Sequence, residues 1–142
     1  MARRPTPLPR LLAQAFKASR GQVQRRLDAL GMHAGQDYLV DVLAEQDGLP
    51  VGEIAERLGV EVPTVVRTVQ RMEAAGIVAR EPDPRDRRRS RIVLTKRGRE
   101  AEPGVHAALD DVTKTATRGF SREETEQLRS LLERVRANLS DP

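Results

Sequence analysis

The chain contains no cysteine and no tryptophan, and only one tyrosine and two phenylalanines. Without thiols it can form no disulfide, no thiolate metal site and no cysteine-based redox sensor of its own. With aromatics at 2%, a core has to be built from Leu, Val, Ile and Ala, which suits helix-on-helix packing better than a sheet sandwich. No apolar run approaches the roughly 20 residues of a membrane span, and the opening MARRPTPLPR lacks a signal-peptide-like apolar segment. The expected setting is therefore the cytoplasm, with no membrane partner. Histidine is scarce as well: His33 and His106 are expected in different helices, without HxxxH or HxxE spacing, so no metal site can be assembled. There is no phosphate-cradling glycine loop and no nucleophile elbow. The adjacent carboxylates Asp110-Asp111 and Glu123-Glu124 fall on different helix faces. Neither a catalytic set nor a cofactor site is expected, and the chain does not read as an enzyme.

What is abundant is charge of both signs, 32% of the 142 residues with a net +4, mixed along most of the chain as suits helix surfaces. One segment breaks the mixture. Arg80–Arg99, REPDPRDRRRSRIVLTKRGR, carries nine basic residues against three acids, Glu81, Asp83 and Asp86, a local balance of +6. Pro82 and Pro84 bracket a turn, and Arg91-Ile92-Val93-Leu94 has the β-branched, apolar character of a short strand. An arginine-tipped hairpin of this kind, with Asp83 to Arg89 as its tip, is narrow enough to enter a minor groove or lie along phosphates, where each neutralised phosphate releases counterions. On charge alone, a solvated basic loop fits equally well.

The neighbouring segments decide between these readings. Residues 1–8 lack periodicity and read as a flexible basic arm. From about Pro9 to Leu30, apolar residues recur at three- and four-residue steps, which predicts an amphipathic helix with a bend near Ser19-Arg20-Gly21. Gly31 ends it, and a second helix over about 34–45 should bury Tyr38, Leu39, Val42 and Leu43 on one face. After a turn at Asp47-Gly48, the segment Leu49–Val60 predicts a short helix closed by glycine, and Glu61-Val62-Pro63-Thr64 opens another that reaches about Ala75. Two short helices joined by a tight glycine turn make a helix-turn-helix. On a 100° wheel the second helix gathers Val65, Val69 and Met72 in one sector, with Pro63, Arg67, Gln70 and Arg71 opposite. Arginine can bond guanine bidentately in the major groove, and glutamine can do the same to adenine. Taken alone, Arg67, Gln70 and Arg71 read more readily as the ordinary polar surface of a core helix; followed by a strand at Gly76-Ile77-Val78 and the arginine hairpin, they describe a winged helix.

Further on, Thr95 is a credible N-cap for a helix to about Arg118, which Pro103 should bend. Phe120-Ser121-Arg122-Glu123-Glu124 forms a capping box that starts a last helix. Its stripe of Leu128, Leu131, Leu132, Val135 and Leu139 is too apolar to leave in water, since full burial of each contributes roughly 1.5–3 kcal/mol. The surplus suggests a partner, although pairing of the first and last helices within one chain is the simpler alternative.

The pattern Asp83-Pro84-Arg85-Asp86-Arg87-Arg88, then Val93-Leu94-Thr95 and Gly98-Arg99, resembles the D-P-x-D-x-R … L-T-x-x-G-R wing of the MarR family of bacterial transcriptional regulators. Ile54-Ala55-Glu56-Arg57-Leu58-Gly59-Val60, Pro63-Thr64-Val65, Arg67, Arg71-Met72-Glu73 and Gly76-Ile77-Val78 resemble that family's helix-turn-helix. Motifs cover about residues 33–100. Two positions depart from the family's habit: Glu61 stands where Ser or Thr often opens the recognition helix, and Val66 where Thr often precedes the helix arginine.

The resemblance implies a mainly α fold with a small β wing: a winged helix-turn-helix lobe at 33–97 and a helical dimerisation region at 9–32 and 98–142. It implies double-stranded DNA as partner, read as an inverted repeat by a homodimer, through Pro63, Thr64, Arg67, Gln70 and Arg71 of the helix and Arg85, Arg87, Arg88 and Arg89 of the wing. An Asp86–Arg88 ion pair is expected to shape the wing. The family also implies repression relieved by a small aromatic or anionic effector in a crevice between the dimerisation helices and the lobe, for which Phe16, His33 and Tyr38 are the candidate lining. A protein-interaction module with a basic wing and a nonspecific architectural DNA binder are the competing functions.

Overall fold

A computed structural model of the chain describes residues 4–33 and 35–140. The elements run α1 (Leu8–Asp28), α2 (Gln36–Glu45), α3 (Val51–Leu58), α4 (Val62–Ala74), β1 (Val78–Asp83), β2 (Asp86–Leu94), α5 (Lys96–Ala116) and α6 (Arg122–Ser140). Local chemistry explains most of their boundaries. Gly59 adopts φ +64° and closes α3, a conformation that glycine reaches without steric cost. Proline lies in the first turn of α4, where its missing N–H has no partner to lose. The Thr95 hydroxyl accepts from the Gly98 N–H at 3.1 Å and so caps α5. At α6 the capping box closes both ways: Glu124 N–H donates to Ser121 Oγ at 3.0 Å, and Ser121 N–H donates to Glu124 Oε1 at 3.2 Å.

Several expectations are corrected. Residues 1–3 of the arm lie outside the described residues, and Leu8 already belongs to α1. As the expected long helices do, α1 runs through Ser19-Arg20-Gly21 and α5 through Pro103 to Ala116. The strand expected at 91–94 begins instead at Asp86, pairing Ser90 with Pro82 and Asp86 with Asp83, while Arg87, Arg88 and Arg89 lie in the register shift between those two pairs. The three arginines are extended between paired residues on either side of them, Asp86 and Ser90. The tip shrinks to Pro84-Arg85, with a register irregularity at Pro82/Asp83.

The core is aliphatic, as the composition requires. Leu27 of α1, Leu39 and Leu43 of α2, Ile54 of α3, Val69 and Met72 of α4, Ile92 of β2 and Val105 of α5 are almost completely buried in one cluster. Leu49 joins them by a backbone bridge to Ile92, its N–H donating at 3.2 Å and its carbonyl accepting at 2.8 Å. α5 packs on both α1 and α2. By contrast, α6 buries no side chain and packs on no element of its own chain to a comparable extent. Among the described residues, no helix is long and apolar enough to cross a membrane.

Candidate nucleic-acid interface

The packing of α4 sorts its side chains. Val65, Val69 and Met72 are buried, while Pro63, Thr64, Arg67, Gln70 and Arg71 are exposed. A helix held by one apolar stripe thus offers a row of donors on its other side. In its last turn, Glu73 accepts from Arg80 Nε of β1 at 2.8 Å, which ties the helix to the wing.

The wing owes its shape to backbone bonds made by its acids. Asp83 Oδ1 accepts from the Arg85 N–H at 2.9 Å, and Asp86 Oδ1 from the Arg88 N–H at 3.0 Å. Short aspartate side chains that bond two residues ahead fix a turn locally. The expected Asp86–Arg88 ion pair is therefore replaced: Asp86 engages the Arg88 backbone, and the Arg88 side chain is exposed. Arg85 occupies the tip, and Arg87, Arg88 and Arg89 follow in β2. All four are exposed. Farther back, Arg91 Nη2 donates to Glu81 Oε2 at 3.0 Å across the strands. At the base, Asp47 Oδ1 accepts from the Leu94 N–H at 2.9 Å and the Gly48 N–H at 3.1 Å.

The base also meets α5 closely. Thr95 Oγ1 lies 2.5 Å from the Gly76 carbonyl oxygen and 3.1 Å from that of Ile77. Gly98 packs so tightly that a Cβ would stand 2.2 Å from the Ile77 carbonyl oxygen. Only glycine fits there.

The sequence profile described as "MarR family" matches residues 31–89, the segment from the α1–α2 connection to the wing arginines. YcgE of Bacillus subtilis (strain 168), described as an uncharacterized HTH-type transcriptional regulator, is 32% identical over 109 residues, covering 77% of this chain and 71% of that protein. The chain belongs to the MarR family. The fold agrees with solved structures: that of the transcriptional regulator SlyA is 28% identical, with 96% of each chain covered and a TM-score of 0.87. A mutant MarR from E. coli complexed with operator DNA is 24% identical, covering 91% of this chain and 93% of that one at a TM-score of 0.83.

In this MarR-family chain the three candidate effector residues do not share one site. Phe16 of α1 and Tyr38 of α2 line a mainly apolar cleft of about 440 Å³ with Leu39, Leu58, Thr64, Val65 and Thr68. His33 lies in a different, open depression with Gln36 and Arg71. Tyr38 is also corrected in place: it was expected on the buried face of α2 but is 40% exposed, with the Arg20 guanidinium 4.4 Å above its ring centre. The buried polar residues of that helix are Gln36 and Asp37.

Asp37 is the feature that sequence reasoning missed. It is fully buried, and both its oxygens accept from Arg20 of α1, each at 3.0 Å. The hydrogen bond that Arg20 donates to Asp37, reinforced by the carboxylate's charge, raises the pKa of Arg20 above the ordinary value although burial opposes this. The pair joins the first helix to the lobe. A polar residue among apolar neighbours carries no periodic signal of its partner 17 residues earlier. Among the described residues no cluster of three or more His, Asp or Glu is arranged to hold a metal ion.

Proposed function

We propose that this protein is a homodimeric, sequence-specific regulator that binds an inverted-repeat operator and represses by occupying it. The observation that carries the reading is the division of α4 into a buried apolar stripe and an exposed row of Arg67, Gln70 and Arg71, beside a hairpin with four exposed arginines. In this reading α4 enters the major groove and reads base edges, with Arg67 and Gln70 as the main reading groups. Arg85, Arg87, Arg88 and Arg89 supply phosphate or minor-groove contact, which is largely indifferent to sequence.

Dimerisation is supported by the apolar side chains that the single chain leaves in water. Leu128, Leu131, Leu132 and Leu139 of α6 are 36–77% exposed, as are Leu8, Leu11 and Phe16 of α1. The terminal helices, 9–32 and 98–142, form the dimerisation region, and a two-fold axis through them presents two copies of α4 to successive major grooves. The Phe16–Tyr38 cleft is the place for a small effector, because Thr64, Val65 and Thr68 on its wall belong to α4 itself. Its lining suits an aromatic ligand; an anion is less well served, since the lining includes no arginine and Arg20, over the Tyr38 ring, is committed to Asp37.

Footprinting on DNA flanking the protein's own coding sequence tests the reading. The expected result is one symmetric protected region with half-sites about one helical turn apart and a preference over random DNA of about 10³-fold or more. Uniform protection would favour an architectural binder, and no binding at low salt a protein-interaction module.

A further inference from the structure

The recognition helix opens on an acid. Glu61 is the N-cap of α4, with φ −73° and ψ 146°, yet its side chain makes no capping hydrogen bond to the helix. It is exposed and takes part in none of the ion pairs among the described residues. Val60 and Val62 on either side are themselves 41% and 46% exposed. Since helix-turn-helix proteins insert the N-terminal residues of this helix among the base edges, the uncommitted carboxylate arrives in the groove with an apolar residue before and after it.

A carboxylate in that position is repelled by every nearby phosphate, so it is compatible with tight binding only where it meets a donor. The major groove offers two, the N4 amino group of cytosine and the N6 amino group of adenine. Beside the adenine N6 lies the N7 acceptor, whose lone pair opposes a second carboxylate oxygen. Cytosine has no acceptor there. Guanine and thymine present acceptors to the groove at O6, N7 and O4. We propose that Glu61 is a specificity-determining residue that accepts a hydrogen bond from the N4 amino group of one cytosine in each half-site and rejects sites lacking it. The inference rests on the reading of α4 as the groove-entering helix.

The test is selection from a DNA duplex library with a randomised core, run in parallel on the full-length wild type, Glu61→Gln and Glu61→Ala. Wild type should enrich cytosine at one position of each half-site. Glu61→Gln, which offers a donor as well as an acceptor, should shift that position toward adenine, the base that glutamine pairs bidentately. Glu61→Ala should lose the preference, with discrimination against the other bases falling by roughly tenfold. Because the carboxylate caps nothing, both variants should keep the wild-type helical circular dichroism, so a changed preference reports readout and not folding. The proposal is overturned if both variants enrich the same sites as wild type and merely bind all DNA more tightly, in which case Glu61 is a repulsive charge and nothing more. That result leaves the regulator reading intact. Failure of wild type to enrich any sequence removes both.

Discussion

Arg20→Ala should be among the most damaging single changes outside the aliphatic core. In the wild type, Asp37 has no exposed surface and its two oxygens are each satisfied by Arg20 at 3.0 Å. Removing one partner of a buried pair leaves an uncompensated charge and costs about 3–5 kcal/mol; loss of the Tyr38 stacking adds about 0.5–1 kcal/mol. Guanidinium chloride unfolding at fixed protomer concentration, compared with wild type at pH 7, should therefore give a loss of about 3–5 kcal/mol. A loss below about 1 kcal/mol would refute the assignment of Asp37 as a buried, Arg20-dependent charge.

Gly98→Ala should destabilise by about 1–3 kcal/mol or more, because the added methyl meets backbone and not a flexible side chain; thermal unfolding checks it, and an unchanged melting temperature would contradict the close approach to Ile77. Leu132→Asp should convert a dimer to monomers at micromolar concentration, read by light scattering after size exclusion; a variant that stays dimeric removes the α6 stripe from the interface. Arg67→Ala should cost about 1–3 kcal/mol of operator affinity and relax base preference at one position, whereas Arg87→Ala should weaken binding to all sequences evenly and flatten its salt dependence. Fluorescence anisotropy on specific and scrambled duplexes separates the two, and identical behaviour would end the division of labour between helix and wing.

Local signals were legible in the chain because their physics is local. Thr95 and the Ser121–Glu124 box each satisfy backbone groups within three residues, and the burial of Val65, Val69 and Met72 follows from helical spacing alone. The D-P-x-D-x-R motif led to the family, which the profile match and the YcgE likeness bear out. What escaped was long-range or carried by backbone. The start of β2 at Asp86 depends on cross-strand bonds that a run of arginines does not advertise. Leu49 reads as a helix residue until Ile92 is beside it. Asp86 was assigned the right neighbour and the wrong atom, since residue types suggest an ion pair while the short side chain reaches the backbone first. Tyr38 lies at the surface, where Arg20, held by Asp37, stands over its ring.

The joint at Thr95 and Gly98 has a mechanical consequence. Because the first turn of α5 is clamped to the turn between α4 and β1, α5 and the wing base cannot tilt separately. A helix of 21 residues is about 30 Å long at about 1.5 Å per residue, so it is a long arm whose first turn is joined to the reading lobe. A tilt of about 5° imposed at its far end, beside α6, displaces the lobe by roughly 3 Å over that length. Groove spacing in DNA is unforgiving on that scale, so small adjustments among the terminal helices are geometrically sufficient to bring the two lobes of a dimer into or out of step with the duplex.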